Sequence, residues 1–268
     1  MFRFQSILLM TVVSATFAAD GPAANTLAPS EKLSGWTLLF DGRSMTGWGD
    51  PRAKMPPGDA WTIEDGCLKA NAHARFEEDL FTNDTYTDFE LVFDWRISPQ
   101  GNSGVKYRIQ DHVILLRPPP GEGFERSVER SYVNRVSERP AKGQDYVIGF
   151  EYQILDSPPK IDPRQTSGAL YDMVAPSSQA TRPVGEFNHS RIVLRGNHVE
   201  HWLNDVKVVD TALDSPQALE GITARWSVAP HVNDLLSEQP KRDCPISLQN
   251  HGNEAWFRNL KIRRLNSH

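Results

Sequence analysis

The chain has 268 residues, with 29 lysines and arginines against 34 aspartates and glutamates, so its formal net charge at pH 7 is −5. This mildly acidic balance gives no support for nucleic-acid binding, which usually relies on a basic surface. The length suits one large β domain, because such domains commonly run to about 200–250 residues.

The first 18 residues are typical of a secretory signal peptide. Arg3 is the only charge before Asp20, an apolar run extends from Ile7 to Val13, and Thr16 and Ala18 provide small residues for cleavage. The run is too short to span a bilayer, which takes about 20 apolar residues. We therefore expect cleavage after residue 18 and a periplasmic or secreted protein with no membrane association. The alternative is an uncleaved anchor.

Residues 19–34 are predicted to form a flexible N-terminal segment, and the folded domain is expected to occupy residues 35–266. Two cysteines, Cys67 and Cys244, lie within that domain. They can pair in an oxidising compartment or remain two buried thiols, since two cysteines do not define a disulfide framework.

Short strands with alternating apolar and polar residues dominate the domain. The stretch YTDFELVFDWRIS (86–98) alternates in this way, and SRIVLRGNHVEHWLNDVKVVD (190–210) predicts three strands. Turns between those three strands are expected at Gly196-Asn197 and Asn204-Asp205, because such pairs supply the positive φ of tight hairpins. Two more strands are predicted in 244–265. Many short strands with turn residues between them favour a sandwich or jelly roll.

Two stretches interrupt the strand pattern, at 111–145 and at 225–244. The first is rich in Arg, Glu, Pro and Gly. It is either a solvated charged loop or a rim of the binding cleft, since loops on a rigid sheet often carry recognition. No amphipathic helix of normal length is predicted, and HVNDLLSEQ (231–239) is expected to form one or two turns.

Six motifs occur in order along the chain. They are GWTLLFDGRSMTGWG (35–49), GNSGVKYR (101–108), EYQILD (151–156), SGALYDMVAP (167–176), GEFNHSRIVLRGNHVEHWLNDVKVVD (185–210) and ISLQNHGNEAWFRNLKIRRL (246–265). Together they resemble the 3-keto-disaccharide hydrolase family. The resemblance implies an all-β, concanavalin A-like jelly roll, a sandwich of two antiparallel sheets with a ligand cleft on the concave face. It also implies a sugar or glycoside substrate that is already oxidised to a ketone at carbon 3.

The EYQILD strand places polar side chains where a cleft would need them. Successive residues of a strand face opposite ways, so Glu151 and Gln153 share one face with Leu155. Asp156 reaches that face only if a bulge intervenes or the strand ends before it. The following DSPP sequence indicates that the strand ends there.

Neighbouring motifs repeat this arrangement. Gln249 and His251 share a face in ISLQNH, and Lys106 and Arg108 share a face in GVKYR. Asn102, in the same motif as Lys106, is a further candidate for substrate binding. With the family resemblance bringing these strands together, we predict one cleft floored by Glu151, Gln153, Gln249, His251, Lys106 and Arg108.

A ketone at carbon 3 acidifies the hydrogen on carbon 2, so elimination of the group on carbon 1 needs a base, an acid and a group that stabilises the enolate. Glu151 or His251 is the candidate base, and Asp156 is either the acid or the residue that orients His251. Lys106, Arg108 or a metal ion would stabilise the enolate. The sequence requires no cofactor, although a divalent metal ion fits this chemistry. It does not indicate an oligomeric state.

Two other functions fit the same fold. In a non-catalytic carbohydrate-binding module, aromatic rings would stack on sugars. The candidate rings are Trp48, Trp61, Trp95, Trp202, Trp226 and Tyr171, of which Trp202 and Tyr171 are also candidate substrate contacts in the enzyme. A conventional retaining glycoside hydrolase would use Glu151 and Asp156, with carboxyl groups about 5–5.5 Å apart.

Overall fold

The computed structural model describes residues 24–50, 58–115, 118–136, 139–238 and 240–266. The predicted signal peptide, residues 1–18, lies outside the described residues. The strands are β1 (Thr37–Leu38), β2 (Trp48–Gly49), β3 (Trp61–Glu64), β4 (Cys67–Ala70), β5 (Phe76–Glu77), β6 (Leu80–Thr82), β7 (Phe89–Ile97), β8 (Asn102–Ile114), β9 (Gly143–Leu155), β10 (Asn188–Arg195), β11 (His198–Leu203), β12 (Val206–Ala212), β13 (Ser247–Leu248) and β14 (Ala255–Arg264). The α-helices are α1 (Pro29–Leu33), α2 (Phe124–Asn134), α3 (Pro216–Trp226) and α4 (Pro230–Ser237).

Two sheets form the sandwich. The eight-stranded sheet has the order β12-β11-β10-β7-β14-β4-β3, with β1 also paired to β14. The six-stranded sheet has the order β2-β6-β13-β8-β9-β5. Neighbours are antiparallel except β5 and β9, which are parallel. The predicted all-β, concanavalin A-like jelly roll is confirmed.

The core lies between the sheets and follows the predicted alternation. On β7 the apolar set buried in the core is Phe89, Leu91, Phe93 and Trp95. The six-stranded sheet contributes Tyr107 and Tyr152, whose rings point into the same layer. The glutamate and glutamine of EYQILD therefore point away from the core, because they alternate with Tyr152 along β9.

A buried histidine, His201, makes two polar contacts within this core. The Tyr107 hydroxyl lies 2.8 Å from Nε2 of His201, and Nδ1 of His201 lies 2.9 Å from the carbonyl oxygen of Gly168. Burial lowers the pKa of His201 to about 4, so the ring is neutral at neutral pH. His198 lies on the opposite, exposed face of β11, because residues three apart in a strand face opposite ways.

The three predicted strands at 190–210 correspond to β10, β11 and β12, and the turns lie where the sequence places them. Asn204 and Asp205 both have positive φ, 47° and 67°, which Asn and Asp tolerate better than most residues. The strands at the two ends of the domain belong to one sheet, since β1 pairs with β14.

Residues 24–34, the described part of the segment predicted to be flexible, are attached to the eight-stranded sheet. The Asn25 and Asn259 side chains each accept a backbone N–H from the other, at 2.8 and 2.6 Å. Lys261 forms an ion pair with Glu31 of α1 at 2.8 Å. These contacts attach the described part of the segment to the sheet, and the flexibility of residues 19–34 stays a prediction.

The insert at 111–145 is not a loop. Its ends extend β8 and β9, and its middle contains the eleven-residue helix α2. The prediction that the chain has no amphipathic helix of normal length is wrong. In α2 the apolar residues Phe124, Val128 and Tyr132 recur every four positions, and charged and polar residues lie between them. Helix α4 forms the two turns expected of HVNDLLSEQ. Helices α2, α3 and α4 pack together at one end of the six-stranded sheet.

Both cysteines are buried free thiols, so Cys67 and Cys244 do not pair. Within the described ranges, no helix has the length and apolar character needed to cross a membrane.

Strand β8 contains a bulge that changes which residues share a face. The β8–β9 register shifts between Tyr107 and Asp111, and Arg108 has a φ of 50°. The guanidinium of Arg108 consequently donates to the carbonyl oxygens of Arg242 and Gly196, at 2.7 and 2.6 Å. The prediction that Arg108 shares the cleft face is wrong, because strict alternation ends at the bulge.

Candidate functional site

A cleft with two connected chambers opens on the outer face of the six-stranded sheet. The inner chamber, of about 310 Å³, contains Glu151, and the outer chamber, of about 750 Å³, contains Asp156. Both volumes lie within the range of ligand sites. The residues that line both chambers are Asn102, Gln153, Gln165, Tyr171 and His251.

Six of the ten predicted site residues line the inner chamber. They are Glu151, Gln153, Gln249, His251, Asn102 and Tyr171. Asp156 lines only the outer chamber, and Lys106 lies below the floor. Arg108 and Trp202 are elsewhere in the molecule.

The Glu151 side chain occupies space that a glycine provides. Gly104 of β8 lies next to β9, and a Cβ added to it would stand 2.3 Å from Oε1 and 2.9 Å from Cγ of Glu151. Any larger residue at 104 would displace the carboxyl group. Among the described residues, none forms a hydrogen bond or an ion pair with this carboxyl group, which leaves it available to a ligand.

Burial raises the pKa of Glu151 to about 7, against the opposing effect of the cations Lys106 and Arg225. Lys106 pairs with Glu151 in the β8–β9 register. Its Nζ is 3.2 Å from Oδ2 of Asp79, and the Lys106 residue is only 2% exposed. The predicted substrate contact by Lys106 is therefore wrong: the ammonium group acts on Glu151 through the electrostatic field.

Arg225 of α3 is a site residue that the sequence analysis missed. Its guanidinium lies 4.6 Å from the centre of the Tyr171 ring and 3.0 Å from Oδ2 of Asp172. Helix α3 approaches this closely because Gly221 has no side chain, since a Cβ there would stand 2.6 Å from Cα of Met173. The arginine occurs in ITARW, a stretch with no recognisable motif.

The SGALYDMVAP segment runs beside β9 and positions the aromatic side of the chamber. The backbone N–H of Tyr171 donates to the carbonyl oxygen of Glu151 at 3.0 Å, and the N–H of Gly168 donates to that of Gln153 at 2.9 Å. Asp172 then accepts from Nε2 of Gln165 at 2.7 Å. These contacts fix the Tyr171 ring and the Asp172–Arg225 ion pair next to Glu151.

Two buried amides in the inner chamber have oxygens without partners. Gln153 and Gln249 are 2% and 6% exposed, and no described residue donates to Oε1 of either. Buried polar atoms in folded proteins nearly always have a partner. Sugar hydroxyl groups are suitable donors to such carbonyl oxygens.

His251 and Asp156 do not meet in the structure. Asp156 accepts the backbone N–H of Gln100 at 2.8 Å. No hydrogen bond or ion pair among the described residues joins Asp156 to His251, which is exposed at the boundary of the two chambers. The expectation that Asp156 orients His251 is therefore wrong.

Trp202 lies on β11, on the outer face of the other sheet, with the Arg191 guanidinium 4.0 Å from its ring. The prediction of Trp202 as a substrate contact in this cleft is wrong, because β11 belongs to the eight-stranded sheet. The same face carries His198, Glu200 and Asp210, the one cluster of three potential metal ligands found among the described residues. Lys207 already pairs with both carboxylates of that cluster.

A family model described as 3-keto-alpha-glucoside-1,2-lyase-like domain matches residues 35–263. The chain belongs to this family. The resemblance noted in the sequence motifs is confirmed.

Several known proteins and solved structures are similar to this chain over most of its length. A 3-keto-disaccharide hydrolase from Bacteroides thetaiotaomicron is 29% identical over 256 residues, covering 86% of this chain and 79% of the relative. A candidate glycosyl hydrolase from Parabacteroides distasonis is 27% identical with a TM-score of 0.66, over 91% of this chain and 100% of that one. A second structure from that organism shares the fold at 22% identity, with a TM-score of 0.56 over 86% of this chain and 99% of its own. These similarities support a carbohydrate-active, glycoside-acting enzyme.

The raised pKa of Glu151 predicts a pH-dependent stability difference between the parent and Glu151→Gln. Because the folded-state pKa, about 7, exceeds the ordinary value of 4.5, the contribution of Glu151 is complete below pH 4.5 and is lost as the pH rises through 7. The glutamine does not ionise. Urea unfolding should therefore show Glu151→Gln gaining stability relative to the parent between pH 5 and 8, on the order of 1–3 kcal/mol.

Glu220→Gln is the matched control, because Glu220 is an exposed glutamate on α3. Its stability difference from the parent should not change over the same pH range. A flat difference for Glu151→Gln as well would show that Glu151 ionises at an ordinary pKa.

Proposed function

We propose that the protein is an exported enzyme that cleaves glycosides carrying a ketone at carbon 3. It removes the proton on carbon 2, expels the group on carbon 1 and adds water to the resulting double bond. The observation that carries this proposal is Glu151, a carboxyl group with a pKa near 7 and no protein partner among the described residues. The family description and the name of the Bacteroides relative support the choice of substrate.

Glu151 is suited to act as the base. A general base works best with a pKa near the operating pH, since it is then both ionised and basic enough to take a proton. A carboxylate of ordinary pKa, near 4, would be far weaker towards a carbon acid. Retaining hydrolysis with Glu151 and Asp156 is less favoured, because those two carboxyl groups line different chambers.

Arg225 would stabilise the enolate oxygen that forms at carbon 3. Its guanidinium is held against Tyr171 and Asp172 in the chamber that contains Glu151. A fixed cation in a partly dehydrated site stabilises developing negative charge without having to reorganise. Gln153 and Gln249 would accept hydrogen bonds from sugar hydroxyls, and His251 at the chamber boundary would hold the water that is added.

A divalent metal ion is an alternative means of stabilising the enolate. In the inner chamber, Glu151 and His251 have no hydrogen-bond partner among the described residues and offer two donor atoms. Both oxygens of Asp172 are engaged, by Gln165 and Arg225. Assays with and without a chelator distinguish Arg225 from a metal ion in this role.

A carbohydrate-binding module without catalysis is less favoured, because its stacking platforms are covered. Trp48, Trp61, Trp95 and Trp226 are buried. Arg191 covers the ring of Trp202, and Arg225 lies on one face of the Tyr171 ring.

Substitution of the base tests the proposed function. Glu151→Gln keeps the shape of the side chain but removes the acid–base group, so turnover of a 3-keto-glucoside should fall by about 10²–10⁴-fold. The parent's kcat/KM should rise with pH through about 7, since a base must be deprotonated. Deuterium on carbon 2 should exchange or show an isotope effect, because elimination breaks that bond.

Glu220→Gln serves again as the control and should turn over the 3-keto-glucoside like the parent. Fast cleavage of an unoxidised glucoside with carbon-2 deuterium fully retained would contradict the proposal and favour displacement at carbon 1. Normal sugar binding without turnover of any keto-glycoside would favour the binding module.

Export is the second part of the proposal, based on the Ile7–Val13 apolar run and the small residues that follow it. Protein recovered from the periplasm or medium should begin near Ala19. N-terminal sequencing that returned Met1 from the native host would contradict cleavage.

A further inference from the structure

Tyr146 of β9 lines the inner chamber together with Glu151 and Arg225. Two aromatic rings hold its own ring in place. Phe124 of α2 packs edge-on with ring centres 5.1 Å apart, and Trp226 of α3 lies at 6.1 Å. Both neighbours come from the helices at this end of the sheet, so the position of the phenol depends on α2 of the insert and on α3.

The hydroxyl group of Tyr146 is poised to donate a proton. Nη2 of Arg225 donates to its oxygen at 3.2 Å, so the phenol's own O–H proton is directed elsewhere. No described residue accepts that proton. A tyrosine hydroxyl is both donor and acceptor, and here only the acceptor function is used within the protein.

Two cations flank the phenol. Besides the Arg225 contact, Nζ of Lys106 stands 5.4 Å from the centre of the Tyr146 ring. Burial raises the pKa of Tyr146 while Arg225 and Lys106 oppose that effect, and the net shift is upward. The phenol is therefore protonated at neutral pH, and a phenolate formed there would lie between two positive charges.

We propose that Tyr146 is the general acid of the reaction and protonates the glycosidic oxygen as it leaves carbon 1. This inference rests on the proposed function. It assigns to Tyr146 the role of the acid, for which the sequence had indicated Asp156. Tyr146 shares the inner chamber with the base, whereas Asp156 lines only the outer one.

The proton transfers balance over the whole cycle. Glu151 takes the proton from carbon 2, the electron pair forms the carbon 1–carbon 2 double bond, and the carbon 1–oxygen bond breaks as the leaving oxygen takes the Tyr146 proton. Hydration then reverses these transfers: water adds to carbon 1 and gives its proton to the Tyr146 phenolate, while protonated Glu151 returns a proton to carbon 2. The net reaction is hydrolysis, and both residues end in their starting states.

A phenol suits a sugar or alkyl leaving group. An alkoxide is a strong base, so its departure needs an acid that remains protonated at the working pH; an ordinary tyrosine has a pKa near 10 and an ordinary aspartate one near 4.

The test compares two leaving groups in Tyr146→Phe, which keeps the ring but removes the hydroxyl. With methyl 3-keto-glucoside the variant should lose about 10²–10⁴-fold in kcat/KM, the usual contribution of a general acid. With 4-nitrophenyl 3-keto-glucoside the loss should be below about 10-fold, because nitrophenolate leaves without protonation. Tyr132→Phe, on α2 outside the cleft lining, should behave like the parent with both substrates.

Equal losses on both substrates would overturn the proposal, because they would assign Tyr146 to binding or packing; an unchanged rate on the methyl glycoside would overturn it as well. Failure of the proposed function looks different. In that case the parent would turn over neither keto-glycoside, or Glu151→Gln would remain active on the nitrophenyl substrate.

Discussion

The carboxyl group of Glu151 is half-buried in the cleft and lies near two cations, and the proposed chemistry depends on the balance between these effects. Burial alone would keep the group protonated, whereas a close ion pair would lower its pKa below the useful range. The Lys106 ammonium is prevented from contacting Glu151 by its own ion pair with Asp79. Gly104 provides the space in which the carboxyl group lies. The result is a base that titrates near neutral pH.

Helices α2, from the insert, and α3 turn an open sheet face into a chamber. Jelly-roll strands supply the floor, with Gln153 and Gln249 facing outwards. Helices α2 and α3 supply the end wall, including Phe124 and Arg225. Reducing solvent access strengthens the electrostatic interactions between charged groups inside. The same wall holds Tyr146 in place, since Phe124 of α2 packs against its ring and Arg225 of α3 donates to its hydroxyl oxygen.

Much of the fold and part of the site could be predicted from local patterns. Period-two alternation located β7 and placed Glu151 and Gln153 on the side away from the core, and Asn-Asp and Gly-Asn pairs located the hairpin turns. These features depend on residues adjacent in sequence. The ordered motifs then identified the family, which brought distant strands together.

The remaining site residues depend on contacts that no local pattern encodes. Arg108 leaves the cleft face because β8 bulges after Tyr107, and a bulge has no reliable sequence signal. Arg225 and Tyr146 meet only when α3 packs against the end of β9. Trp202 is a residue type that often stacks on sugar rings, but its strand, β11, belongs to the other sheet. In each case tertiary packing decides whether a reactive side chain lies in the cleft.

Direct titration of Glu151 tests the central claim most plainly. Infrared difference spectra between the parent and Glu151→Gln, recorded from pH 4 to pH 9, isolate the carboxyl stretch of this one residue. The account predicts that the protonated carboxyl band persists at pH 6 and disappears around pH 7, where the carboxylate band replaces it. A band already fully converted to carboxylate at pH 5 would contradict the account, because Glu151 would then be too weak a base for the proton on carbon 2.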